Sequence, residues 1–156
     1  MGFFNNKKWL TTAVVGTMVL AACGDDPVGL DEHAEHAEPE GVLLRLNAQV
    51  IASYDEGKWT GELEVTVGQE TAHIDVVFVD HDGAAIAIDE DLYLEVVIGN
   101  EAIAEFEQDT PGEFGGHLHG KSVGETTAVF RIMHGTVGAG HADFETSAVH
   151  VHVNPA

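Results

Sequence analysis

The stretch GHLHGKSVGETTAVFRI, residues 116–132, contains the most regular strand pattern of the chain and the turn that precedes it. Apolar residues at every second position, among them Phe130 and Ile132, are typical of a strand with one buried face. Gly120 and Gly124 lie just before that pattern, where glycine allows the backbone to turn. The stretch therefore predicts two strands joined by a turn.

The same period of two recurs through the rest of the chain after residue 42. Only Glu101–Gln108 is a candidate for a helix, and it contains Ile103 and Phe106, which suit a strand equally well. Many short strands separated by turn residues favour a β-sandwich, and we expect seven to nine of them in one domain covering 42–156. The clearest predicted strands lie at 42–50, 63–67, 72–78, 92–98, 128–132 and 148–153.

Three stretches follow one another in the order seen in a known family. They are VVFVDHDGAAI (76–86), LYLEVVIGNEAIAEF (92–106) and the 116–132 stretch, which carries the pattern at Gly116, Leu118, Gly120, Gly124 and Thr126. This order resembles the bacterial immunoglobulin-like domains of group 2 over residues 62–153. The resemblance implies an Ig-like sandwich used in adhesion, surface display or as a spacer, with a protein or glycan partner and no catalysis. The His-bearing insert before Leu118 and the connection HGTVGAGHADF (134–144) depart from that family's pattern.

The first residues have the composition of an export signal. Lys7 and Lys8 precede the apolar run WLTTAVVGTMVLAA, which is shorter than the roughly 20 residues that a spanning helix needs. The run ends at Leu20–Cys23, LAAC, which resembles the lipobox of bacterial lipoproteins. That resemblance implies that residues 1–22 are removed and that Cys23 receives lipid, palmitate included, which anchors the protein in the cell envelope. Gly24 after the cysteine implies the outer membrane where the source has one.

Residues 23–41 predict a tether between the lipidated cysteine and the domain. The segment GDDPVGLDEHAEHAEPEG (24–41) is acidic, contains two prolines and has almost no large apolar residue, so we expect it to be disordered. His33 and His36 lie among its carboxylates and are weaker candidates for metal ligands. The alternative is a solvated, charged stalk.

Charge and cysteine content argue against a nucleic-acid-binding protein and against a domain held together by disulfides. The chain has 27 acidic and six basic residues, a formal net charge of −21 with neutral histidines, and this charge repels nucleic acid and attracts cations. Cys23 is the only cysteine, so no disulfide can form within the chain. The expected partners are the membrane, reached through the lipid, and an unidentified protein or glycan.

Six of the ten histidines fall between residues 117 and 152. His117 and His119 project to the same face of their predicted strand, and glycine-rich segments flank His134 and His141. These four histidines predict a metal site for zinc or copper, the two ions that imidazole suits well. The bland interpretation is that they are exposed or hydrogen-bonded side chains. The weaker candidates His150 and His152 alternate with valines, as on the solvent face of an edge strand.

No catalytic motif is present in the sequence. None of the three serines lies in a G-x-S-x-G elbow, and neither HExxH nor Cys-x-x-Cys occurs. We therefore expect a non-catalytic protein and keep two hypotheses for its function. The first is a lipid-anchored Ig-like module with a structural or interaction role at the cell surface. The second is a lipid-anchored protein that binds zinc or copper through the four histidines.

Overall fold

The computed structural model describes residues 38–156, and within this range every regular element is a strand. The all-β prediction is therefore confirmed. No helix among these residues is long and apolar enough to cross a membrane. The strands are β1 Gly41–Leu46, β2 Gln49–Asp55, β3 Lys58–Gly61, β4 Leu63–Thr66, β5 Ile74–Val79, β6 Leu92–Ile98, β7 Ala104–Glu107, β8 Gly115–Gly120, β9 Gly124–His134, β10 His141–Glu145 and β11 Val149–Asn154.

The strands form two curled sheets in a sandwich-like arrangement. One sheet has the order β3-β2-β1-β5-β8-β7. The other has the order β10-β9-β11-β4, and in addition the whole of β6 pairs with the second half of β9. Almost all neighbours are antiparallel, but β4 pairs in parallel with β11. The turn in the 116–132 stretch carries the chain from one sheet, at β8, to the other, at β9.

Inward-facing residues of both sheets share one core. Phe130 and Ile132 of β9 are buried as their alternation predicts, and Leu118 of β8 is fully buried with them. Phe130 packs against Trp59 and Phe106, with ring centroids 5.9 Å and 6.0 Å away. Because Leu118 faces this core, its neighbours at 117 and 119 must project from the opposite face of β8.

The first predicted strand, 42–50, is two strands joined by a tight turn. Asn47 and Ala48 have positive φ values of 51° and 64°, so β1 ends at Leu46 and β2 runs back from Gln49. Positive φ at both central residues is the geometry of a two-residue hairpin, and asparagine tolerates it well. Val50, which we expected to face the core, is instead 52% exposed.

The helix candidate at Glu101–Gln108 is a turn followed by β7. The Asn100 side chain accepts a hydrogen bond from the amide of Ala102, and the Asn100 carbonyl accepts one from Ile103. These bonds form a local turn, after which Ala104–Glu107 pairs with β8. This strand, β3, β10 and the split at residue 47 bring the number of strands to eleven instead of the predicted seven to nine.

The predicted signal peptide, the lipidation site Cys23 and the tether histidines His33 and His36 lie outside the described residues. At the end of the predicted tether, the amide of Glu40 donates a hydrogen bond to the carbonyl of Val79. Strand β1 begins one residue later, at Gly41.

Candidate metal centre

His73, Asp109 and His117 bring three ligand atoms together at the outer face of β8. Nδ1 of His73 lies 3.4 Å from one carboxylate oxygen of Asp109, and Nε2 of His117 lies 3.6 Å from the other. The two imidazole rings are 5.3 Å apart, edge to face. One ligand atom from each residue lies within 4.8 Å of the other two. We call these three residues the first centre.

Spacings of this size suit a zinc ion. Zinc lies about 2.0–2.1 Å from nitrogen and oxygen ligands, and tetrahedral geometry then sets neighbouring ligand atoms about 3.4 Å apart. The two imidazole–carboxylate distances of 3.4 Å and 3.6 Å are close to this value, each measured to a different oxygen of Asp109. One oxygen of Asp109 and one nitrogen of each histidine lie within 4.8 Å of one another. Two imidazoles and one carboxylate leave a fourth position for water or another ligand.

The backbone at Thr71 fixes the orientation of His117. Nδ1 of His117 lies 3.0 Å from the Thr71 carbonyl, which can only accept, so this nitrogen carries the proton. Thr71 is held in turn, since its amide donates to the Leu118 carbonyl and its hydroxyl accepts from the Leu118 amide. In the neutral ring Nε2 therefore has the lone pair, and it points toward Asp109. Metal-binding histidines commonly donate their second N–H to a carbonyl in this way.

The same hydrogen bond affects the protonation of His117. The contact with the Thr71 carbonyl raises the pKa of His117 above its ordinary value of 6.5, burial opposes the shift, and the charge of Asp109 adds to it. The carboxylates of Asp109 and Glu70 thus favour a positive charge at this position. A bound cation would benefit from the same surroundings.

Three unrelated segments supply the ligands of the first centre. His117 is in β8, His73 immediately precedes β5, and Asp109 follows β7. The loop after β7 is held by Gln108, whose side-chain amide donates to the carbonyls of Leu94 and Glu113 at 3.2 Å and 2.6 Å. These hydrogen bonds of Gln108 therefore hold the loop that carries Asp109 in place.

Two glycines allow these segments to approach each other. A side chain at Gly115 would collide with Nε2 of His73, so the imidazole lies directly over the glycine. A side chain at Gly116 would collide with the carbonyl of Glu107 in β7. The pair of glycines before His117 thus makes room for one ligand of the first centre and for the neighbouring strand.

His119, the second histidine of β8, has other partners. Its Nε2 lies 3.5 Å from a carboxylate oxygen of Glu70 and 3.2 Å from one of Glu107. Its neighbour across the strand pair is Glu105, whose carboxylate is bonded to Lys121. His119 and His117 share a face of β8. Among the described residues, however, three groups of side chains could hold a metal ion, and only His117 of these two histidines belongs to one of them.

His134 and His141 lie elsewhere, on the other sheet. They are direct neighbours across β9 and β10, and they form a group with Asp143. The four histidines predicted to form one site are therefore divided: His117 belongs to one group, His134 and His141 to another, and His119 to neither of these.

The weaker candidates on the last strand also separate. His150 is exposed, and no described metal-ligand group includes it. His152 bonds to Glu125 at 2.8 Å and forms a third group with Glu62 and Glu64; the two glutamates are exposed and His152 is half-buried. This group has a single imidazole and suits zinc or copper less well than the first centre does.

Sequence reasoning did not find His73 and Asp109. Asp109 is 36 residues from His73 along the chain, and neither lies in a recognisable spacing motif. The available signal was His73 at the start of the predicted strand 72–78 and Asp109 directly after the helix candidate Glu101–Gln108. This signal becomes informative only once the strand order is known. No protein-family model and no curated protein sequence matches this chain.

Proposed function

We propose that this is an exported, lipid-anchored, non-catalytic protein that binds a divalent metal ion, zinc foremost, at the first centre. The observation that carries the proposal is the convergence of His73, Asp109 and His117, whose ligand atoms lie within 4.8 Å of one another. The contact between His117 and Thr71 supports it further, because it directs the free lone pair of His117 toward that point.

Export and anchoring are proposed on the sequence of the first residues alone. The basic start, the short apolar run and Cys23 in LAAC form a consistent signal, and the acidic segment after it suits a tether. The 27 acidic residues of the chain attract cations, which suits a protein that binds a metal ion.

The Ig-like part of the proposal is supported by strand order. The run β1-β5-β8-β7 corresponds to the order A-B-E-D of one immunoglobulin sheet, and β6-β9-β11 corresponds to C-F-G of the other. The hairpin of β2 and β3, the short β10, and β4, which pairs in parallel with β11, are additions to that plan. Fold alone does not assign function, so metal binding is inferred from the site.

Zinc titration of the protein tests this proposal. The protein would start at residue 23 with Cys23→Ser, and His33→Ala/His36→Ala would remove the imidazoles of the tether. We expect submicromolar zinc affinity, measured by competition with a chromophoric chelator. His73→Ala/His117→Ala should weaken binding by on the order of 100-fold, because two of the three ligands are lost.

The matched control is His81→Ala/His150→Ala, which likewise removes two imidazoles. Both are exposed, and neither belongs to the three groups of possible metal ligands found among the described residues. This variant should retain the affinity of the parent. Equal affinity in the parent and the His73→Ala/His117→Ala variant would contradict the proposal. It would also be contradicted if the Cys23→Ser protein bound zinc only when His33 and His36 were present.

The second candidate is a purely structural or interaction module at the cell surface. The observation in its favour is the strand order, since Ig-like sandwiches commonly serve as spacers and adhesion domains. The titration separates the two candidates, because the module alone predicts no zinc binding by the domain.

A further inference from the structure

A second group of metal-ligand side chains lies at the end of β9. Nε2 of His141 is 3.1 Å from one oxygen of Asp143, and Nδ1 of His134 is 3.5 Å from the other. The two imidazole rings are 5.3 Å apart. The two nitrogen–oxygen distances, each to a different oxygen of Asp143, are near the separation of about 3.4 Å between neighbouring ligands of a tetrahedral zinc ion.

Asp91 determines which nitrogen of His134 is available. Nε2 of His134 lies 2.7 Å from a carboxylate oxygen of Asp91, so Nε2–H donates to it and Nδ1 keeps the lone pair. Nδ1 is the nitrogen that faces Asp143. A carboxylate behind a histidine is the common arrangement that orients imidazole ligands of zinc and makes them more basic.

The backbone brings these side chains together without a long loop. His134 and His141 are opposite each other in the strand pair, and a bulge between Ala142 and Phe144 inserts Asp143 as an extra residue. Bulges of this kind redirect side chains and are frequent beside functional sites. A side chain at Gly140 would collide with the carbonyl of His134, so glycine permits the tight return of the chain.

His134 and Asp143 also line a groove of about 670 Å³. Asp89 and Asp91 contribute further carboxylates to its wall. This concentration of negative charge favours a cation and disfavours anionic ligands. With three protein ligands, a tetrahedral ion would keep one position open to water from the groove.

We propose that His134 Nδ1, His141 Nε2 and an oxygen of Asp143 form a second, independent site for a divalent transition-metal ion, with Asp91 as its positioning residue. The two sites share no ligand, so the second does not rest on the first. It is the more exposed of the two, since the side chains of His134 and His141 are 44% and 74% exposed, against 37% and 25% for His73 and His117. We therefore expect the second site to bind more weakly and to exchange its ion faster.

Zinc stoichiometry tests this second site. The Cys23→Ser protein without the tether imidazoles should bind two zinc ions in two steps, as followed by calorimetry. His141→Ala should abolish the weaker step and leave the tighter one unchanged. Because His141 is largely exposed, we expect this variant to fold normally, which circular dichroism would verify. Zinc binding in which no step is sensitive to His141→Ala would overturn the proposal.

Asp91→Ala tests the positioning role and keeps all three ligands. It should weaken the second step by about 10- to 100-fold, the usual effect of removing the partner of a metal-bound histidine. Nitrogen-15 shifts of the imidazoles provide a separate readout, in which zinc should shift Nδ1 of His134 while Nε2 stays protonated. Coordination through Nε2, or no effect of Asp91→Ala, would refute the assigned geometry.

The outcomes also distinguish this site from the first centre. His73→Ala/His117→Ala should remove the tighter step and retain the weaker one. If the first centre does not bind zinc, one step that is sensitive to His141→Ala would remain, and the second site would stand alone.

Discussion

The two candidate metal sites use similar ligands but are assembled in different ways. His73, Asp109 and His117 come from three segments that the strand order brings together. His134 and His141 face each other on adjacent strands, with Asp143 two residues from His141. Each pair of histidines is combined with one aspartate, so the difference lies in the scaffold and not in the donor atoms.

The means of orienting the histidines also differs between the sites. A backbone carbonyl, that of Thr71, holds His117, whereas a side-chain carboxylate, that of Asp91, holds His134. The Thr71 carbonyl belongs to a backbone segment that pairs with Leu118, whereas the Asp91 carboxylate is carried by a side chain in the turn before β6. The comparison indicates a rigid site beside β8 and a more adaptable one beside β9.

The largest effects are expected from core residues beneath each site. Leu118 lies under the first centre and Ile132 lies in β9 near the second, and both are buried. Leu118→Ala and Ile132→Ala should each lower the free energy of unfolding by about 2–5 kcal/mol, because a cavity replaces packed side-chain atoms. Leu118→Ala should weaken zinc binding at the first centre more, and Ile132→Ala should do so at the second.

Urea unfolding and stepwise zinc titration of the two variants measure these effects. Retained affinity at both sites despite the loss of stability would show that neither site depends on the packing beneath it. The same site being weakened by both variants would remove the proposed division between the two regions.

The predicted four-histidine site includes two members of the second group, His134 and His141, but only one member of the first, His117. His134, His141 and Asp143 lie within ten residues, and the glycine-rich connection between the histidines pointed to a close approach. For the first centre, the sequence identified His117 but not the residues beside it, because they depend on β7 and β5 both neighbouring β8. Such long-range pairing has no local signature in one sequence.

The fold shows the same limit. Alternation identified β9 and β11 because apolar residues at every second position report directly on a buried face. It failed at 42–50, where the apolar period continues through Asn47 and Ala48 although the chain reverses there. A two-residue turn can preserve the period of the pattern, so alternation cannot detect it.

Two glycines provide a matched pair of intermediate-sized changes. A side chain at Gly115 would displace His73, and a side chain at Gly140 would press on the carbonyl of His134 and the hydroxyl of Tyr93. Gly115→Ala should therefore weaken the first centre, and Gly140→Ala the second, each by on the order of tenfold, as when an orienting partner is lost. Zinc titration with calorimetry would resolve the two steps, and the reverse assignment would contradict the proposed roles of these glycines.

The smallest expected effect concerns the electrostatics of the strand pair that bears the first centre. The hydrogen bond and charge of Lys121 lower the pKa of Glu105 below its ordinary value of 4.5. Because the folded-state pKa is lowered, this pair contributes stability above pH 4.5, and the contribution is lost as the pH falls through the folded-state pKa. Lys121→Ala should raise the pKa of Glu105 and remove that dependence.

Carbon-13 titration of the Glu105 carboxyl group measures this shift, with Lys58→Ala as the control, since Lys58 has no ion pair among those of the described residues. The control should leave the pKa of Glu105 unchanged. Lys121→Ala also removes a positive charge beside Glu105, which lies opposite His119 on the strand pair that carries His117. The local charge becomes more negative, so zinc binding should strengthen slightly at the first centre and stay unchanged at the second. An equal change at both sites would mean that the net charge of the protein, and not its local arrangement, governs cation binding.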